Sequence, residues 1–136
     1  VAESTIIANT LHPAGSGQRT AGWAQMAFLT VPQGMSHAHW LQRWQGDHTL
    51  VAIETQSNFE YVQNVVVSAL RDGAPPYAAI VEECFPEAAL TDPFTFFDAA
   101  GDPGKFKANL DRMMASCDRF IVPGTIDVIP TGQYTY

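Results

Sequence analysis

The alternation and spacing of apolar positions divide the chain into a short series of elements. Trp23 opens the run Ala24-Gln25-Met26-Ala27-Phe28-Leu29-Thr30-Val31, which carries apolar side chains on both alternating faces and stops at Pro32. That pattern predicts a strand inside a sheet. Ser36 then offers an N-cap hydroxyl, and helical spacing runs from His37 to about Thr55. Wound as a helix, His37, Leu41, Trp44, His48, Val51, Ala52 and Thr55 share about 100° of arc, with His39, Gln42, Arg43 and Glu54 opposite. Gly46 inside the helix costs about 1 kcal/mol and predicts a local irregularity beside His48.

Phe59-Glu60-Tyr61-Val62-Gln63-Asn64-Val65-Val66-Val67 is rich in β-branched and aromatic residues and predicts a second strand. Asp72-Gly73-Ala74-Pro75-Pro76 is turn chemistry, and Tyr77 to Phe85 forms a third strand cut by Pro86. Asp92-Pro93 and Asp102-Pro103 each set an N-cap before a proline at the first helical position, opening a short helix and then a longer one to about Arg119. Pro123-Gly124 turns the chain into a last strand at Ile126-Asp127-Val128-Ile129. Ahead of Trp23, residues 1–22 hold a short apolar stretch, Thr5-Ile6-Ile7-Ala8, and a loop dense in Gly, Pro and Ser. They read as an arm or linker, or as the link from a preceding half of a tandem chain, leaving 23–136 as the domain.

The order β-α-β-β-α-β predicts an α+β, ferredoxin-like fold: a four-stranded antiparallel sheet with the helices on one face. The other face then lacks a partner within the chain although two of its strands are apolar on both sides. An uncovered apolar face of several hundred Å² marks an interface, so a two-fold homodimer with sheets face to face is expected.

Composition narrows the partners. The chain is 46% hydrophobic and 15% charged with a net charge of −7, which excludes disorder and leaves no basic cluster for nucleic acid or an anionic membrane. Cys84 and Cys117 stand apart as free thiols, and no apolar run is long enough to span a bilayer. Val1-Ala2-Glu3-Ser4 carries no positive region before an apolar stretch, so no signal peptide is read and a cytoplasmic location is expected. No phosphate-cradling glycine loop follows a strand, hence no dinucleotide cofactor, and His37-x-His39 points its rings apart on a helix, hence no metal site.

Candidate chemistry centres on His48. Imidazole suits proton transfer near neutral pH, and Trp44 one turn earlier makes an apolar wall; a core histidine satisfied by one hydrogen bond is the competing reading. Trp40 and Trp44 serve as substrate platform or as core. Tyr61 and Gln63 share one strand face and Asn64 the other, so either set can put a polar group over a pocket, Tyr61 as donor to a substrate oxygen. Glu82 and Glu83 lie on opposite faces of their strand. A carboxylate buried there would have a raised pKa and could act as acid or base, whereas a plain rim charge would not; Glu82 is taken as the substrate-side residue.

With these residues in place, Trp44-Gln45-Gly46-Asp47-His48 on a helix, then Phe59-x-Tyr61-x-Gln63-Asn64 on the next strand, resembles the EthD family over roughly residues 23–136. The Asp102-Pro103 helix ending at Asp118-Arg119-Phe120-Ile121 continues the likeness. The resemblance implies a dimeric α+β barrel. It also implies a small enzyme of oxygenase, isomerase or cyclase type acting on an apolar or aromatic molecule without a dinucleotide cofactor, with His48 and Tyr61 as catalytic groups. Haem-handling enzymes belong to the same superfamily, so a helical histidine among aromatics also admits haem. A non-catalytic carrier of a hydrophobic ligand is the third expectation.

Overall fold

The computed structural model describes residues 1–136. Strands β1 (Ala2–Ile7), β2 (Gln18–Arg19) and β3 (Trp23–Leu29) lead into helix α1 (His37–Leu41), a π-helical segment (Gln42–His48) and α2 (Thr49–Thr55). Next come β4 (Glu60–Val65) and β5 (Ala79–Phe85), a 3₁₀ turn (Glu87–Leu90), α3 (Pro93–Phe96), α4 (Pro103–Cys117), β6 (Asp127–Thr131) and β7 (Tyr134–Thr135). The main sheet has five antiparallel strands in the order β1-β4-β5-β3-β6, and β2 pairs with β7 in a separate ribbon. A mixed α+β fold with this strand order is compatible with the ferredoxin-like arrangement.

The strand count corrects the expectation of four. Ala2–Ile7, taken from the sequence as part of an arm, adds a fifth strand against β4, with Ala2 opposite Val65 and a bulge between Thr5 and Ile7. Its residues Glu3, Ser4 and Thr5 show no apolar alternation. The strand conformation comes from the unpaired N–H and C=O groups along β4, which offer an edge for any extended segment to complete.

The helix expected over 37–55 forms as one run, but its centre is a π segment. Its buried residues are Trp40, Trp44, His48, Ala52 and Thr55, at intervals of four and three. In a pure α-helix an interval of four drifts around the axis by about 40° each time. The wider π turns cancel that drift and keep Trp40, Trp44 and His48 in line over the sheet. The inward stripe therefore runs through Trp40, and His37, expected to face inward, is exposed. Gly46 lies in the π segment where an added Cβ would run into the amide of Gln42.

Both long helical runs cover one face of the sheet. Ala27 and Leu29 of β3, Tyr61 of β4, and Ala79 and Val81 of β5 pack against Trp40, Trp44, Ala52, Met113 and Phe120. An ion pair between Arg112 and Glu54 ties α4 to α2 on the outside. Trp23, Phe85 and Ala89 form a second cluster with Phe96. Gly22 leads into β3, and its φ of +87° and closeness to the Phe85 carbonyl admit no Cβ.

On the opposite face, Met26, Phe28, Val62 and Ile80 are half-buried and Ile129 is 50% exposed. Residues 8–20 and the C-terminal ribbon close one end of this face. The His12 ring packs edge-on against Phe59 at 4.9 Å, and Gln133 Nε2 donates to Glu82 Oε1 at 3.0 Å. No helix is long and apolar enough to cross a membrane.

Candidate functional site

Between the helices and the sheet lies a cavity of about 110 Å³, walled mainly by apolar side chains. Trp44 and His48 enter it from the π segment, Phe120 and Ile121 from the turn after α4, and Ala27, Val81 and Val128 from the sheet. Tyr61, Glu83 and Gln25 supply its polar wall, and the pairing register explains why they meet. Tyr61 is the cross-strand partner of Glu83, and Glu83 that of Gln25, so one line across β4, β5 and β3 presents three polar side chains toward the helices.

His48 is 9% exposed. Its Nδ1 lies 2.8 Å from Ser116 Oγ on α4, and its ring packs at a tilt of 55° against Phe120, 4.6 Å between centroids. Nε2 has no hydrogen-bond partner within the chain. Burial disfavours the imidazolium and pushes the pKa down to about 4, so the ring is neutral at physiological pH.

Glu83 is 6% exposed. Asn58 Nδ2 donates to its Oε1 at 2.8 Å and Gln25 Nε2 to its Oε2 at 3.3 Å. Burial raises the pKa to about 7, outweighing the two hydrogen bonds that favour the carboxylate. Just before β4, Gln56 Oε1, Ser57 Oγ and Asn58 Oδ1 are buried without partners. That concentration of unsatisfied polar atoms beside one carboxyl is unusual for a protein interior.

Tyr61 is held from below. Gln63 Nε2 donates to Tyr61 Oη at 2.9 Å and to Thr49 Oγ1 at 2.8 Å, while Thr49 Oγ1 donates to the Trp44 carbonyl at 3.2 Å. The phenol oxygen therefore accepts, with the Thr49 and Trp44 side chains also near it, and it donates no hydrogen bond within the chain. Burial first, and the nearby Glu83 charge second, raise its pKa, so the proton stays on.

Of the residues singled out from the sequence, His48, Trp44 and Tyr61 line the cavity, and Gln63 sits behind Tyr61. The other three lie elsewhere. Trp40 is sealed in the core with its Nε1 donating to the Phe120 carbonyl at 3.1 Å. Asn64 is opposite Ile80, and Glu82 bonds Gln133, both on the face away from the helices. Glu83 thus takes the place in the cavity that the sequence reading gave to Glu82, because β5 turns its odd-numbered residues toward the helices. Gln25, Gln56, Asn58 and Ser116 were missed. Ser116 had a signal: with Met113 it falls on the inward stripe of α4, three residues apart on one face.

No group of three or more His, Cys, Asp or Glu side chains is arranged to hold a metal ion. The hollow beside His48 offers room for one small ring, less than a haem macrocycle needs. Both cysteines are free thiols, with Cys84 buried and its pKa pushed up to about 12 by burial. Compared with known proteins, the chain matches no family model and no curated protein.

Proposed function

We propose that this protein is an EthD-like small enzyme in which His48 moves a proton on an apolar or aromatic molecule held between the helices and the sheet, without a dinucleotide cofactor. One observation carries the reading: a buried imidazole and a buried carboxyl line the same largely apolar hollow, and burial pushes their pKa values to about 4 and about 7. Groups whose surroundings push their pKa values in opposite directions are how a site divides acid and base roles. With Nδ1–H donating to Ser116 Oγ, Nε2 carries the lone pair that accepts a substrate proton. Trp44 and Phe120 form the walls, and Tyr61 offers a hydrogen bond to a substrate oxygen. A dry cavity of roughly 150 Å³ holds benzene, so this smaller, partly open hollow suits a single ring with substituents reaching outward.

The half-buried apolar residues Met26, Phe28, Val62, Ile80 and Ile129 support the further proposal of a dimeric α+β barrel, two copies meeting through this sheet face. Glu60 and Glu82 lie on that same face, Glu82 on the central strand between Val62 and Met26, so the dimer has to accommodate a carboxyl within the contact.

The test is a panel of single-ring phenols, ketones and lactones incubated with the protein in D₂O and followed by NMR for any chemical change. Native protein converts or exchanges at least one member, and a folded His48→Asn variant does not. A His48→Asn variant with native rates overturns the assignment. A carrier of hydrophobic metabolites is the rival, favoured by the fact that the ring's one hydrogen bond comes from Ser116 and not from the sheet. A carrier binds panel members and changes none of them.

A further inference from the structure

The donors and acceptors on the polar wall of the cavity do not balance. Tyr61 Oη accepts from Gln63 and donates no hydrogen bond within the chain, with the Thr49 hydroxyl and the Trp44 indole also close to it. Glu83 Oε1 receives the short bond from Asn58, whereas Oε2 receives only the long 3.3 Å contact from Gln25. A carboxylic acid places its proton on the oxygen less well supplied with donors, here Oε2. No hydrogen bond within the chain takes that proton, and a ligand oxygen competes for it with the unpartnered Asn58 Oδ1 and Gln56 Oε1. Tyr61 and Glu83 are direct cross-strand partners, so the two donors start from backbone positions about 5 Å apart and extend to the same side. Opposite them, in the tautomer whose Nδ1–H donates to Ser116 Oγ, His48 presents Nε2 as an acceptor with no donor in the chain to meet it.

We infer that Tyr61 Oη–H and the Glu83 carboxyl form a two-donor cradle for a carbonyl oxygen, and that the cavity takes a single-ring compound bearing an enolisable carbonyl. This deepens the proposed function and rests on it. His48 Nε2 removes a proton from the carbon next to the carbonyl. The C–H electron pair becomes the enolate C=C, and the charge that develops on oxygen falls between the two O–H donors. The imidazolium N–H exchanges with solvent at the open side of the hollow, a proton is then returned to the same carbon or to a conjugated one, and the neutral ring is regenerated. No electrons are lost or gained, and no co-reactant is needed. Burial supports the assignment because it keeps both donors protonated: Glu83 is neutral below about pH 7, and the Tyr61 pKa is raised. A tyrosine beside a carboxylic acid held neutral by apolar surroundings is an established way to bind an oxyanion.

The experiment follows deuterium entering the benzylic carbon of phenylacetone from D₂O, catalysed by the native protein and by His48→Asn, Tyr61→Phe and Glu83→Gln, each checked for folding by circular dichroism. Loss of one oxyanion donor lowers rates by about 100- to 1,000-fold. The inference predicts His48-dependent exchange that falls by about 100-fold in each donor variant. Exchange that depends on His48 but keeps its native rate in Tyr61→Phe and Glu83→Gln overturns the cradle and leaves the His48 reading intact. Absence of exchange into phenylacetone, where another panel compound reacts in a His48-dependent way, does the same. Absence of any His48-dependent reaction overturns both. A second measurement needs no variant: native protein binds phenol at least tenfold more tightly than benzene, because the hydroxyl is taken by the cradle. Equal affinities overturn the inference.

Discussion

Two buried side chains, His48 and Glu83, carry opposite charges when ionised, and between about pH 4 and pH 7 the fold holds both of them neutral. Their effects on stability therefore run in opposite directions with pH. His48 has its pKa lowered from 6.5 to about 4, so its contribution is complete above pH 6.5 and is lost as pH falls through 4. Glu83 has its pKa raised from 4.5 to about 7, so its contribution is complete below pH 4.5 and is lost as pH rises through 7. Each shift corresponds to about 3 kcal/mol, and between pH 4.5 and 6.5 the two nearly cancel. Denaturant titrations of native protein and of His48→Asn should give a stability difference that grows by about 3 kcal/mol from pH 4 to 6.5. The difference between native protein and Glu83→Gln should shrink by a similar amount from pH 4.5 to 7. A flat difference in either comparison means that the group in question is solvated rather than buried.

Residue types were easier to read than residue positions. Trp44 and His48 one turn apart on an amphipathic helix announce a shared face, and both reach the cavity. The choice between Glu82 and Glu83 turns on which parity of β5 faces the helices, and on a strand apolar on both sides no alternation reveals it. Gln25 and Asn58 matter because they donate to Glu83, a relation made by strand register and by the turn before β4. Nothing in the local sequence encodes such a pairing.

At the scale of elements, the π segment is what aligns Trp40, Trp44 and His48 across the sheet, and Gly46 marked that irregularity in advance. The strands β3, β4, β5 and β6 and the helix α4 were legible because each has a dense apolar pattern or an Asp-Pro start. Strands β1, β2 and β7 were not, since short polar segments take strand conformation from an edge or from each other. Another glycine has a sharper consequence. At Gly22 a side chain would need a left-handed backbone and would collide with the Phe85 carbonyl. Backbone strain of this kind costs about 1–3 kcal/mol before the collision is counted. Gly22→Ala should therefore lower stability by about 3 kcal/mol or more in chemical denaturation, and a loss under 1 kcal/mol would contradict the close approach of β3 and β5.

The whole molecule is acidic, with a net charge of −7, and the sheet face away from the helices carries half-buried Met26, Phe28, Val62 and Ile80 and exposed Ile129. If that face joins two copies, sedimentation velocity at micromolar concentration gives a dimer, and Ile80→Glu, centred on the face, gives a monomer with unchanged circular dichroism. Added salt tightens the dimer, because it screens the like charges of Glu60 and Glu82 brought together there. A native protein that sediments as a monomer removes the barrel from the account while leaving the cavity untouched, since the hollow lies on the other side of the sheet within one chain.

The central claim concerns that hollow, and a titration of ¹⁵N-labelled native protein with phenol, read by two-dimensional NMR, tests it most directly. The account predicts saturable shifts at the amides of Trp44, His48, Tyr61, Glu83 and Phe120, and none at Met26, Val62 or Ile80. Shifts confined to the outer sheet face, or no saturable shifts at all, would contradict it.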